Sequence, residues 1–379
     1  MRVLQICAAY KPAFIYGGPT MSVSMLSEEL IKAGVVSEVF ATTANGKSEL
    51  PVTPGLPVNV DGVSVRYFKR LTKDHTHFSP ALLKALWKEC RDFDLIHIHA
   101  WWNLVSLFSC MIALTRKVPV LISPRGTLSP YSFQNKNIGV KWFIHNLFGK
   151  YLLNSSHLHV TSARENKAIK SLIYPKSITI LPNFVMLSSQ KQFEENKPSS
   201  RLRLLFFSRI EEKKGLDILL NALALVTVPY RLTIAGDGDE NYVTYLKNIA
   251  INSHIDDKID WVGFQGENKF DLLHSHDLFV LPSHDENFGN VVIESLSVGT
   301  PVLISEEVGL ADYVRENNLG WICRTNPSAI SEAINTIVKD QQHELKRIRK
   351  EAPGIIYNDF NEDNLVKKYI GLYQQLIKQ

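Results

Sequence analysis

The sequence predicts an α/β protein of two doubly wound domains, each a mostly parallel sheet with helices on both faces. Three observations carry that expectation. Short runs that are apolar throughout alternate with amphipathic helical stretches, the pattern of strands buried on both faces. At 379 residues the chain exceeds what one ordinary hydrophobic core accommodates. The alternation also breaks once, at a polar segment, and then restarts.

In the first half, strands are expected over residues 3–9, 37–41, 63–67, 95–99, 118–123, 158–161 and 178–181, with helices over 20–33, 80–90 and 105–115. Residues 188–200, rich in Ser, Gln, Glu and Lys, have the composition of an exposed linker. Strands resume over 202–207, 232–235, 259–262, 278–281 and 301–304. The domains are therefore placed at 1–187 and 201–360, and the amphipathic segment 361–379 is expected to pack back on the first. Ligands bind at the carboxyl ends of such strands, so a central cleft faced by both carboxyl edges is the expected site.

Hydrophobic residues make up 45% and charged residues 21%, a globular balance. Four cysteines, Cys7, Cys90, Cys110 and Cys323, lie far apart without a C-x-x-C pair. That argues against a zinc site or a disulfide framework and fits a reducing compartment. The apolar start is interrupted by Lys11-Pro12, too early for a signal peptide, and no run approaches the ~20 apolar residues of a membrane span. A cytoplasmic protein is expected. Residues 136–153 interleave lysines with Trp142, Phe143 and Phe148. Such a basic amphipathic helix suits an anionic membrane, which would place the protein peripherally at the inner face of the cell membrane; the same stripe also suits a helix covering the sheet.

The most informative segment runs from Asp285 to Glu294. An apolar strand ends at Leu281, a polar loop follows, and Gly289-Asn290 opens a helix that stops at Gly299. Free N–H groups at a helix start attract phosphate, and Gly289 lets a ligand approach the backbone. Glu286 lies before the helix and Glu294 within it, and carboxylates suit bidentate bonds to vicinal hydroxyls on a hexose and a ribose. Asn287 and Phe288 lie between them. Arg209 at a strand end and Lys214 before the next helix supply a fork and a point charge for a diphosphate. Tyr16-Gly17-Gly18-Pro19 allows close backbone approach but is not G-x-G-x-x-G, and the second strand ends without the acidic residue of a dinucleotide fold, which disfavours a dehydrogenase. His97 and His99 share one strand face, yet no third ligand at useful spacing suggests a metal. His97 reads as structural and His99 as a sugar contact. Trp101 and Trp102 read as sugar-stacking or core residues, and Arg125 as a partner for an acceptor carboxylate or phosphate or for a salt bridge between loops.

With these residues on view, the whole chain resembles the retaining GT-B glycosyltransferases of family 4, also described as glycosyl transferases group 1. Glu286 through Glu294 matches that family's E-x7-E motif, and Gly17-Gly18, His99, Arg209 with Lys214, Gly236-Asp237-Gly238 and Val262-Gly263-Phe264 support it. The resemblance implies two Rossmann-like domains and transfer of a sugar from a nucleotide donor with retention, without metal or cofactor. It implies that Arg209 and Lys214 hold the diphosphate, Glu286 the transferred sugar and Glu294 the ribose. Gly17 and Gly18 would approach the phosphates, His99 would line the reacting centre and Phe264 would flank the base. Asn287 departs from relatives that carry Gly there, which leaves the sugar open. The variant resembles bacterial surface-polysaccharide and lipopolysaccharide enzymes, implying a UDP- or GDP-hexose or N-acetylhexosamine donor and a polyprenyl-diphosphate-linked glycan acceptor. Nucleic acid is not an expected partner. Two other readings use the same cleft: a nucleotide-sugar epimerase, and a non-catalytic partner protein that binds the nucleotide sugar.

Overall fold

A computed structural model describes residues 1–134, 138–188, 199–266 and 268–379. Most of the linker expected at 188–200, and the start of the stretch at 136–153, lie outside the described residues. The chain divides into two compact units, Met1–Val185 with Phe360–Gln379, and Met186–Asp359.

The first unit is built on eight strands: β1 (Arg2–Cys7), β2 (Val36–Thr42), β3 (Pro57–Val60), β4 (Val63–Phe68), β5 (Leu95–His99), β6 (Val120–Ser123), β7 (His157–Val160) and β8 (Ser177–Ile180). Their order is β8-β7-β6-β5-β1-β2-β4-β3, all parallel except the edge pair β3–β4. β1 sits mid-sheet, which is why five of its six residues are buried. Strand β3 was not anticipated, because at the sheet's edge it keeps its side chains largely exposed and lacks an apolar run. Helix α1 (Gly18–Lys32) follows β1 and carries Pro19 in its first turn, where no N–H is needed.

The second unit holds β9 (Leu202–Phe207), β10 (Tyr230–Ala235), β11 (Ile259–Gly263), β12 (Leu278–Leu281), β13 (Val302–Ser305) and β14 (Gly320–Cys323). Their order is β11-β10-β9-β12-β13-β14, parallel throughout. After β9 the order reverses direction, a topological switch of the kind that opens a ligand site at the carboxyl edge. Helix α2 (Asn290–Ser297) follows β12. Among the described residues no helix is long and apolar enough to cross a membrane.

The C-terminal helix α3 (Glu362–Ile377) belongs to the first unit. Its helical stripe Leu365, Val366, Tyr369, Leu372, Tyr373 and Leu376 is buried against Val3, Leu26, Leu95, Leu121 and Phe184. Each fully buried aliphatic side chain stabilises by roughly 1.5–3 kcal/mol. The two tyrosines on this stripe also enter a buried polar chain.

That chain has a direction. Arg125 Nε donates to His99 Nδ1 (3.3 Å), and His99 Nε2 meets Gln5 Oε1 (2.8 Å). Gln5 Nε2 donates to the Tyr373 hydroxyl (3.4 Å), which meets His97 Nδ1 (2.8 Å). His97 Nε2 meets Ser123 Oγ (2.7 Å), Ser123 Oγ meets His159 Nδ1 (2.6 Å), and His159 Nε2 meets the Leu181 carbonyl (2.9 Å). A guanidinium can only donate and a carbonyl can only accept, so the two ends fix every proton between them. All three histidines are neutral Nε2–H tautomers, each with a filled Nδ1 lone pair. Tyr369 adds a second contact to His159 (3.0 Å) and donates to the Pro182 carbonyl (3.1 Å).

Burial, reinforced by neighbouring positive charge, holds His97 and His99 well below the ordinary imidazole pKa, and lowers His159 to about 3. A further proton would place a donor against a donor and break the chain. In the unfolded chain the same groups titrate near ~6.5. The unfolded state therefore binds more protons from about pH 6.5 downward, and the first unit loses stability as pH falls through that window, while these three histidines add no pH dependence above it. The slope is about 1.4 kcal/mol per pH unit for each histidine that titrates. Thermal melts followed by tryptophan fluorescence are expected to show a falling Tm below pH 6.5, with a shallower fall in His159→Gln. A Tm that is flat from pH 7 to 5 would contradict this account.

Candidate functional site

The second unit brings Arg209, Lys214, Glu286 and Glu294 to the carboxyl edge of β9 and β12, and it does so through backbone contacts. Gly215 has φ +68, and a Cβ there would meet the Pro282 carbonyl oxygen at 2.1 Å. Only glycine allows the segment after β9 to lie so close to the segment after β12. The His284 N–H donates to the Lys213 carbonyl at 2.9 Å, fixing the two segments side by side. Adjacent residues then pair with adjacent residues, Lys213 with Asp285 (2.9 Å) and Lys214 with Glu286. From the other side, the Glu286 N–H donates to Glu307 O (3.1 Å) and Gly309 N–H donates to Glu286 O (2.7 Å).

Burial by itself would raise the Glu286 carboxyl pKa. Lys214 outweighs it by charge and hydrogen bond, with Lys213 and Arg209 adding to the effect, so the pKa is lowered. Glu286 is therefore an ionised acceptor with two oxygens for hydroxyl donors. Arg209, exposed and paired with Glu211 at 2.8 Å, lies close enough to contribute to that field.

Gly289, at φ +95, turns the chain into α2, and no side chain caps that helix. A helix start of this kind favours an anion through its amides and dipole. Glu294 is buried within α2 and accepts from Lys269 Nζ at 2.8 Å. Phe288 is buried, so it offers a ligand its main chain only; Asn287 is partly buried. Phe264 is 71% exposed beside Gly263 at φ +66, an open aromatic face at the end of β11. Sequence reasoning passed over Lys269 and Lys213, and gave Asp285 no role beyond opening the segment to Glu294. Lys269 sits in the short helix Lys269–His274, where a lysine has nothing to set it apart from a solvated one.

The remaining expected residues lie in the first unit. Gly17, at φ +68, and Gly18 form the turn into α1. His99 is buried, with both ring nitrogens engaged by Gln5 and Arg125. Trp101 is wholly buried in the core, so the structure assigns it to packing and leaves no ring face for an acceptor. Trp102 is partly buried, edge-on to Phe133 at 5.2 Å, with a buried indole nitrogen. Arg125 reaches Asn183 Oδ1 (2.7 Å) as well as His99.

Comparison with known proteins follows this geometry. Residues 16–189 match the model of Glycosyltransferase Family 4, and residues 188–354 match that of Glycosyl transferases group 1. An uncharacterised glycosyltransferase of Methanocaldococcus jannaschii is 28% identical over 178 residues, 45% of this chain and 44% of the relative. The lipopolysaccharide core biosynthesis glycosyltransferase LpsE of Rhizobium meliloti is 24% identical over 208 residues, 54% of this chain and 60% of the relative. The matched region thus spans about half the length of these relatives. Among solved structures, Anabaena HepE, crystallised with UDP and glucose, aligns over 99% of this chain and 100% of its own with TM-score 0.75 and 18% identity. The fold is GT-B.

Gly215 and Gly263 offer a matched test of the backbone constraint. Their φ values are +68 and +66, but a Cβ at Gly263 meets nothing nearer than Asp237 Oδ1 at 3.7 Å. Gly263→Ala is expected to cost about 1 kcal/mol of strain, and Gly215→Ala roughly 2–4 kcal/mol. Denaturant unfolding of both variants checks this; equal costs would sink the close-approach account.

Proposed function

Since the chain belongs to the glycosyltransferases of family 4 and group 1, which its two matches cover in turn from residue 16 to residue 354, we propose that it is a retaining, metal-independent hexosyltransferase. It moves a hexose or N-acetylhexosamine from a UDP- or GDP-sugar to a sugar acceptor, a polyprenyl-diphosphate-linked glycan in bacterial surface-polysaccharide or lipopolysaccharide synthesis. The observation that carries the reading is Lys214 set against ionised Glu286 ahead of the uncapped start of α2. The lipopolysaccharide relative and the UDP-bound structural neighbour support the substrate class.

In this reading the diphosphate lies on Arg209, Lys214 and the first amides of α2. Glu286 accepts from hydroxyls of the transferred sugar, beside Asn287. Glu294 accepts from the ribose, with Lys269 holding its carboxylate, and Phe264 flanks the base. The anomeric carbon–phosphate oxygen bond breaks as the acceptor oxygen bonds to the same face, and the leaving phosphate takes the acceptor's proton. The cations stabilise charge that grows on the leaving diphosphate, so they act most in the transition state. His99 moves no proton in this reading, since Arg125 occupies its lone pair.

Incubation with UDP- and GDP-sugars and candidate acceptors tests this. Glu286→Ala and Lys214→Ala are each expected to lower kcat/KM roughly 10- to 100-fold, the loss of a charge-assisted contact of about 1.5–3 kcal/mol. Full activity in both would refute the site. Anomeric analysis of the product must show retention.

Membrane contact is a separate part of the proposal. Trp142, Phe143, Leu147 and Tyr151 are 60–72% exposed, while His145, Gly149, Leu152 and Leu153 face inward. The apolar stripe thus points outward, beside exposed Lys150. The protein is expected to co-sediment with anionic phosphatidylglycerol vesicles at low salt, and Trp142→Ser with Phe143→Ser to remain in the supernatant. Equal sedimentation of both proteins would remove this part.

A further inference from the structure

The polar chain in the first unit ends on a cation that no described residue neutralises. Arg125 Nε is taken by His99 Nδ1 and Nη1 by Asn183 Oδ1, both neutral acceptors. Glu165 acts on Arg125 electrostatically, but its Oε1 accepts from Gly126 N–H (2.8 Å) and its Oε2 from Thr161 N–H (2.8 Å) and Oγ1 (3.1 Å). Among the described residues no carboxylate forms an ion pair with Arg125. Its Nη2 bonds to no described residue and is not among the buried unpaired atoms, so it opens to solvent. The guanidinium is otherwise enclosed enough for burial to lower its pKa, yet an arginine remains charged. A poorly solvated cation with one open edge is stabilised most by an anion.

The backbone around it is shaped for that display. Arg125 has φ +52 and Gly126 φ +78, directly after β6, and Ala100 has φ +65 directly after β5. Left-handed conformations at two non-glycine residues are uncommon and are kept where the surroundings enforce them. The Trp101 N–H donates to Thr127 Oγ1 at 3.1 Å, tying the two loops together at the carboxyl edge of the sheet. His99 Nδ1 accepts from the guanidinium, and the orientation of its ring is set through Gln5 by Tyr373 of α3.

We propose that Arg125 is a fixed fork for a phosphoryl group of the acceptor, with His99 and Tyr373 as positioning residues. The proposal rests on the glycosyltransferase reading for the word acceptor; the anion site itself does not. The acceptor it selects is therefore an anionic one, a sugar or lipid phosphate rather than a neutral glycan.

The test uses the full chain with nitrogen-labelled arginine and follows the Arg125 Nε–H resonance while methyl phosphate is added. A saturable shift is expected in the native protein and in Lys214→Ala, and none with uncharged methyl glucoside. Arg125→Gln is expected to weaken methyl phosphate binding at this loop about tenfold or more, read from the Thr127 amide. Arg125→Lys, which keeps the charge without the fork and guards against misfolding, should fall between. Tyr373→Phe should leave Arg125 in place but weaken binding several-fold and alter the His97 tautomer signal. An Arg125 resonance unmoved by methyl phosphate, or equal binding in Arg125→Gln, overturns the proposal. Failure to transfer sugar from any donor, with the Arg125 shift intact, overturns the glycosyltransferase reading alone.

Discussion

The second unit depends on one steric concession, the approach of Gly215 to the Pro282 carbonyl. Two of the site's ion pairs follow from it. With the two loops in contact, Lys213 and Lys214 fall opposite Asp285 and Glu286, and each charge meets an opposite one in partly buried surroundings. A side chain at residue 215 would separate the loops and leave those charges uncompensated, which costs more than the pairs contribute. Gly236 and Gly238 make a comparable approach to Ser208 and Ile210, so the loop after β9 is held from both sides. The phosphate end of the proposed donor site is thus positioned by backbone contacts within the unit, and preorganised charge is the form in which electrostatics favours a transition state.

The first unit is organised on a different principle. Its central polar residues form one chain with a single sense, from Arg125 to the Leu181 carbonyl. A fully satisfied buried network specifies one arrangement, since reversing any link orphans a donor or acceptor. That chain explains why α3, although it follows the second unit in sequence, carries tyrosines at positions 369 and 373 on its apolar stripe. Tyr373 joins Gln5 of β1 to His97 of β5, and Tyr369 adds a contact to His159 of β7. It also separates the roles of two histidines: both are neutral, but only His99 touches the guanidinium that faces solvent.

The alternation of buried runs and helical stretches was enough for the two-domain α/β architecture, because parallel strands covered on both faces must be apolar along their length. The pairing of Glu286 with Glu294 was readable as a motif because a short loop and a helix start preserve local spacing. So was the proximity of Arg209 and Lys214 to β9. Strand β3, exposed at its edge, and the four-residue β14 carried too little apolar signal to be seen. Lys269 was invisible because its partner, Glu294, lies 25 residues away in sequence and only the fold joins them.

What the sequence determined by itself was the set of parts: which strands are buried, which glycines open turns, which charges sit at strand ends. Local periodicity and composition suffice for that, because each depends on a few neighbouring residues. Tertiary structure decided how the parts are used. It buried Trp101 in the core, turned Trp142, Phe143, Leu147 and Tyr151 outward, and closed both ring nitrogens of His99. It left Arg125 with one open edge. Those outcomes depend on partners contributed by distant segments, and a hydrogen-bond direction or an unpaired charge exists only once all the partners are in place.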